Sequence, residues 1–143
     1  MPTPAENHDL EGCFACGRDN PAGMHLDFQV IGPGKVESPC RLDPAWTGWK
    51  GLAHGGLLAT MMDEALGWAV ASLGRTALTA RLEVRYIVPV RPGADLVVTA
   101  HVLRYDRRLA EVAAAVRLPG GPDVATAHAT MIYADNLPSP VPA

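Results

Sequence analysis

The stretch His54-Gly55-Gly56-Leu57-Leu58-Ala59-Thr60-Met61-Met62-Asp63-Glu64-Ala65-Leu66-Gly67-Trp68-Ala69-Val70-Ala71-Ser72-Leu73-Gly74 decides how this chain is read. Leu57, Leu58, Met61, Met62, Ala65, Leu66, Ala69, Val70 and Leu73 recur at helical spacing, which predicts a helix over Gly55–Leu73. Gly74 stands where a helix commonly ends. The helix is apolar nearly all round, so it is expected to be buried. At about 100° per residue, one narrow stripe is not apolar: Gly56, Thr60, Asp63 and Gly67 fall on it, with Glu64 at its border.

Outward from the helix, the periodicity changes to that of strands. Before it, Met24–Ile31 alternates apolar and polar residues up to a Gly32-Pro33-Gly34 turn, and Val36–Leu42 is a weaker strand. A loop, Asp43–Ala53, leads into the helix. After it, Thr79–Val90 places Ala80, Leu82, Val84, Tyr86 and Val88 on one face and Arg81, Glu83 and Arg85 on the other. Asp95–Tyr105, Leu109–Leu118 and Val124–Ala134 follow, separated by Asp106-Arg107-Arg108 and a Pro/Gly-rich turn. The expected order is two strands, a helix and a four-strand meander, an α+β fold with an antiparallel sheet. One sheet covers only one flank of such a helix, so a second copy of the chain is expected to cover more.

The whole chain, 143 residues, reads as one domain with a core over about 24–134 and loose ends at 1–12 and 137–143. The net charge is −3 and no basic patch stands out, which argues against nucleic acid. No apolar run is long enough to span a bilayer. Met1–Glu11 is polar and unlike a secretory signal, so the cytoplasm is the default compartment. Three cysteines, Cys13, Cys16 and Cys40, do not suggest a disulfide framework.

A carboxylate in a buried helix is costly unless paired or used, so Asp63 is either a structural residue with a fixed partner or a reacting group. Gly55 and Gly56 let a ligand approach the backbone, and the first N–H groups of a helix lack internal partners. They suit a carbonyl oxygen gaining negative charge; the alternative is a tight turn capped by His54. Trp46 and Trp49 flank the loop before His54, as walls of an acyl pocket or as loop anchors. Arg107 and Arg108, in a turn, could hold phosphates or simply be solvated. Cys13-Phe-Ala-Cys16-Gly could join Cys40 and His8 or His25 in a Cys3His zinc set. The plainer reading of Cys13–Gly23 is a turn-rich cap.

Gly51–Ala65, with its His-Gly-Gly and an Asp nine positions after the His, resembles the hot-dog acyl-CoA thioesterases, especially the phenylacetate-pathway (PaaI-like) branch; Leu78–Val90 is similar to the strand after that family's central helix. The resemblance implies a sheet wrapped around one long helix and an acyl-CoA substrate. The apolar helix faces that one sheet leaves uncovered and the long Thr79–Val90 strand lead to the expectation of a homodimer paired through those strands, or a homotetramer built from it. The resemblance implies Asp63 as general base or nucleophile, Gly55 N–H as the carbonyl-polarising donor and His54 as an orienting group. It also implies Thr79 as a hydroxyl near the carboxylate, from the opposite subunit. Glu64, Gly56, Trp46, Trp49, Arg107 and Arg108 are the candidate substrate contacts. No metal and no cofactor is called for, coenzyme A being part of the substrate. An acyl-thioester hydratase or dehydratase, and a non-catalytic acyl-CoA binding protein, are the alternatives on the same fold.

Overall fold

The structure, a computed structural model, describes residues 12–143. His8 and nearly all of the segment expected to be loose at the start lie outside the described residues. Six strands form one antiparallel sheet: β1 (Gln29–Gly32), β2 (Lys35–Arg41), β3 (Ala77–Tyr86), β4 (Asp95–Tyr105), β5 (Leu109–Arg117) and β6 (Asp123–Tyr133). One helix, α1 (Gly55–Ala71), joins β2 to β3. The sheet wraps α1, which is the hot-dog arrangement that the resemblance implied.

The spatial order is β1-β2-β4-β5-β6-β3, so the expected four-strand meander is not what forms. Only β4–β5–β6 is a meander. The helix carries the chain across the sheet and delivers β3 to the far edge, beside β6. The return segment 87–94 then runs past the loop before the helix: Ala53 N–H donates to Val90 O at 2.8 Å and Leu42 N–H to Ala94 O at 3.1 Å. That crossing ties the helix start to the base of β4.

Met24–Phe28, expected as strand, lies outside the ladder. It keeps the alternation, with Met24, Leu26 and Phe28 buried and His25 and Asp27 exposed. Phe28 stacks on Trp68 of α1 with ring centroids 6.2 Å apart. The 12–28 segment is thus a turn-rich cap on the helix. Gly23 N–H donates to Asn20 O, and Met24 N–H to Phe14 O.

The helix buries Leu58, Met61, Met62, Ala65, Leu66, Trp68, Ala69 and Val70. Fully burying a large apolar side chain contributes roughly 1.5–3 kcal/mol, so this face anchors α1 to the sheet. Small residues in β4, β5 and β6, among them Ala100, Ala114 and Ala129, are buried on the side facing it. The helix is not covered all round, however. Gly56 and Asp63 are exposed, and Thr60 and Gly67 are half-buried, so the polar stripe is the side that the sheet leaves open. The helix ends at Ser72, whose hydroxyl donates to Ala69 O and accepts from Gly34 N–H of the β1–β2 turn. Gly74, at φ +86°, turns the chain.

Candidate active site

Thr79 Oγ1 donates to Asp63 Oδ1 at 2.6 Å. The two residues belong to one chain, not to opposite subunits as expected. Strict alternation along β3 would put Thr79 with Arg81, Glu83 and Arg85, away from the helix. A β-bulge between Thr79 and Arg81 changes the parity. Ala80 has no partner in β6, and Thr79 swings to the helix side while Leu82 and Val84 keep their contact with the core. A bulge of this kind re-aims one side chain at the cost of a local break in the ladder.

The start of the helix is the second half of the arrangement. His54 is the N-cap, and its Nδ1 accepts from Gly56 N–H at 2.9 Å. That bond leaves Nε2 as the other ring nitrogen and occupies the Gly56 donor. Gly55 N–H has no acceptor among the described residues. Gly55 O accepts from Tyr86 OH at 2.8 Å. A Cβ on Gly55 would stand 3.3 Å from the Tyr86 ring, so a side chain there would crowd Tyr86, while φ places no demand for glycine. Gly55 is absent from the left-handed glycines, which removes the reading of it as a positive-φ turn. The loop before the helix is pinned by Thr47 pairing with Ala53 across Gly51, at φ +73°. Gly48 packs on His54, where a Cβ would meet His54 Cα at 3.1 Å.

Tyr86 was not singled out by the sequence. Its place on the helix-facing parity of β3 was legible, but nothing in the spacing said that its hydroxyl reaches the first carbonyl of α1. Of the two tryptophans, Trp46 packs partly against the core, and its carbonyl accepts from His54 N–H at 3.3 Å. Trp49 is 82% exposed and anchors nothing in the single chain. Arg107 lines a cavity of about 450 Å³ with Val70, Leu73, Arg75 and Tyr133, at the other end of the helix from Gly55. Arg108 is exposed in the same turn. Neither arginine is brought to Asp63.

Glu64 is half-buried and turned away from Asp63, toward the cap. Cys13 Sγ lies 3.6 Å from Glu64 Oε1, in donor geometry. Burial, and then the Glu64 carboxylate, push the Cys16 thiol far above its ordinary range. The Cys3His set does not assemble. Cys40 is buried on β2, where burial pushes its thiol up to about 11. His25 Nε2 bonds Asn20 O at 2.7 Å. Cys13 and Cys16 meet Glu64 instead, a partner that no local spacing could suggest.

Within one chain the two halves do not meet. Asp63 lies eight residues after Gly55, about 12 Å along the helix axis. A single carbonyl group cannot touch both.

The thioesterase superfamily profile matches residues 50–133, from the loop before His54 to the end of β6. Human acyl-coenzyme A thioesterase 13 is 35% identical over 80 residues, which cover 54% of this chain and 57% of that protein. The match therefore spans little more than half the length of this curated relative. The E. coli PaaI protein from the phenylacetic acid degradation operon has the same fold, with a TM-score of 0.76 at 18% identity over 88% of each chain. A Streptococcus mutans protein bound to acetyl CoA has a TM-score of 0.71 at 24% identity, over 76% of this chain and 87% of that one. With more than half of its length inside the matched region, the chain belongs to the thioesterase superfamily.

Proposed function

We propose that this protein hydrolyses acyl-CoA thioesters, with Asp63 as the reacting carboxylate and Gly55 N–H as the oxyanion donor. The observation that carries the reading is the Asp63–Thr79 pair on the open stripe of α1. Thr79 fixes Oδ1 of a side chain that is exposed in the single chain. Asp63 either takes a proton from water as it attacks the thioester carbon, or attacks that carbon itself to give a mixed anhydride that water cleaves. Both routes put negative charge on the thioester oxygen, and both release coenzyme A as the thiol. A backbone N–H at a helix start, held rigid by the His54 cap, suits that oxygen. The chemistry proposed calls for no metal and no further cofactor.

Because Gly55 and Asp63 of one chain are too far apart, the working site joins Gly55 of one copy to Asp63 and Thr79 of another. β3 supports this reading. It is an edge strand, and Leu78, Tyr86, Ile87 and Val88, in and just after it, are each about half exposed. Pairing two such edges across a two-fold axis would cover them and bring the open helix stripes together. A homodimer is the minimal active unit, and a homotetramer is compatible with it. Among the described residues no helix is long and apolar enough to cross a membrane, and we place the protein in the cytoplasm.

The acetyl CoA bound to the Streptococcus mutans protein and the name of the human relative favour an acyl-CoA substrate. The test is thiol release from a panel of acyl-CoAs of different chain length and aromatic content. Release with at least one member, saturating with substrate, is expected. Tight acyl-CoA binding without thiol release would make the protein a carrier, and double-bond hydration with the thioester intact would make it a hydratase.

A further inference from the structure

We propose that Cys13, Cys16 and Glu64 form a zinc site that pins the N-terminal cap to α1. One ligand atom from each residue lies within 4.8 Å of the other two. With Zn–S near 2.3 Å and Zn–O near 2.0 Å, a tetrahedral ion separates sulfur from oxygen by about 3.5 Å and sulfur from sulfur by about 3.8 Å. Cys13 Sγ and Glu64 Oε1 are 3.6 Å apart. That pair therefore already stands at the spacing that the ion requires, and Cys16 Sγ lies within 4.8 Å of both partners.

The loop also offers one backbone donor to a sulfur. Cys16 N–H points at Cys13 Sγ at 3.5 Å, and Gly17 N–H closes the turn on Cys13 O at 2.8 Å. A backbone donor aimed at Cys13 Sγ favours its metal-bound anion, as hydrogen-bonded outer groups do around bound metals. Among the described residues the charge of Glu64 has no answering cation: its carboxylate is half-buried between two thiols, and no basic side chain lies within ion-pair distance of it. Burying a carboxylate without a cation or strong donors is costly. One helical turn on, Trp68 Nε1–H is buried without an acceptor among the described residues, so this side of the helix holds an unused donor too. Two soft sulfurs and one carboxylate suit zinc over magnesium or calcium.

Metal here would act on architecture. The ligands join a cap that is otherwise held by Phe28 on Trp68 and by backbone turns to the residue beside Asp63, but on a different helix face. The proposal does not depend on the hydrolytic reading, and its test does not use turnover. The reduced, metal-stripped full chain is titrated with Co(II), and its near-ultraviolet thiolate charge-transfer absorption is followed. Zinc is measured separately by elemental analysis of protein grown with zinc. About one equivalent per chain is expected, with an absorption strength that corresponds to two thiolates. Cys13→Ser and Cys16→Ser should each lower Co(II) affinity more than roughly 100-fold, since losing even an outer-shell partner costs 10–100-fold. Glu64→Gln should bind more weakly while keeping the two-thiolate absorption. A chelator should lower the melting temperature of the wild-type chain and leave that of Cys16→Ser unmoved. Absence of thiolate absorption in a folded, reduced chain would overturn the site. So would unchanged Co(II) affinity in Cys16→Ser, or a Cys13–Cys16 disulfide in a chain that takes up no metal after reduction.

Discussion

Asp63 Oδ1 is held by one short hydrogen bond, and that bond sets what each partner contributes. Asp63→Asn keeps the shape of the side chain and removes its basicity and negative charge. Thiol release should fall by at least roughly 100-fold, the usual range for losing a general base, with the fold intact. A well-folded Asp63→Asn that turns over normally would remove Asp63 from the chemistry. Thr79→Ala takes away only the donor, so a loss of roughly 10- to 100-fold is expected, about the value of one hydrogen bond to a charged group. Thr79→Ser should recover most of that loss, because the hydroxyl is the part that matters. Gly55→Val tests the other half of the site. Its side chain would press on the Tyr86 ring and crowd the free N–H, so kcat should fall further than the melting temperature suggests. A large loss of stability with an undiminished rate per folded site would make Gly55 a packing residue and put the oxyanion donor elsewhere.

The strands and the helix were largely legible from periodicity, because burial on one face of a strand forces alternation and burial of a helix face forces a repeat of 3.6. What was not legible lies where one element departs from its own period. The bulge between Thr79 and Arg81 has no signature in Leu78-Thr79-Ala80-Arg81, and without it alternation sends Thr79 to the wrong face. The neighbour relations of β3 were misread for a similar reason: a short return loop suggests a hairpin, and only the position of the helix carries β3 past β6. The Cys13–Glu64 contact was hidden because it joins residues that are far apart in sequence. The β4–β5 turn was plain, and its anchor can be tested. Asp106 accepts from the backbone N–H groups of Arg108 and Leu109, and those bonds, the first of them most, lower its carboxyl below the ordinary value of 3.8. A folded value below the unfolded one means that the anchor stabilises fully above the ordinary carboxylate value and is lost as pH falls through the lowered one. The melting temperature of Asp106→Asn should therefore lie below that of wild type at neutral pH and converge with it in acid. A difference that persists unchanged into strong acid would mean that the charge plays no part.

For the whole molecule, the separation of Gly55 and Asp63 makes a specific demand on assembly. Gly55→Val and Asp63→Asn chains, each nearly inactive alone, should regain activity when mixed and allowed to exchange subunits. If each site joins Gly55 of one chain to Asp63 of the other, half of the dimers are mixed and one of their two sites is intact, so about a quarter of wild-type activity should return. No recovery between subunits proven to have exchanged, or full activity in a monomer measured by sedimentation, would dissolve the shared site. The position of β3 also bears on the order in which the fold forms. The β4–β5–β6 meander joins near neighbours in sequence, whereas β3 must close a long loop to place Ala77 opposite Tyr133. Loop closure of that kind comes late when local contacts are available first. Truncating Val112 in the meander should mainly slow refolding, and truncating Leu82 in β3 should mainly speed unfolding. The hydroxyl that steadies Asp63 would then reach it only in the last step of folding, so a chain halted on the way would be compact yet chemically silent.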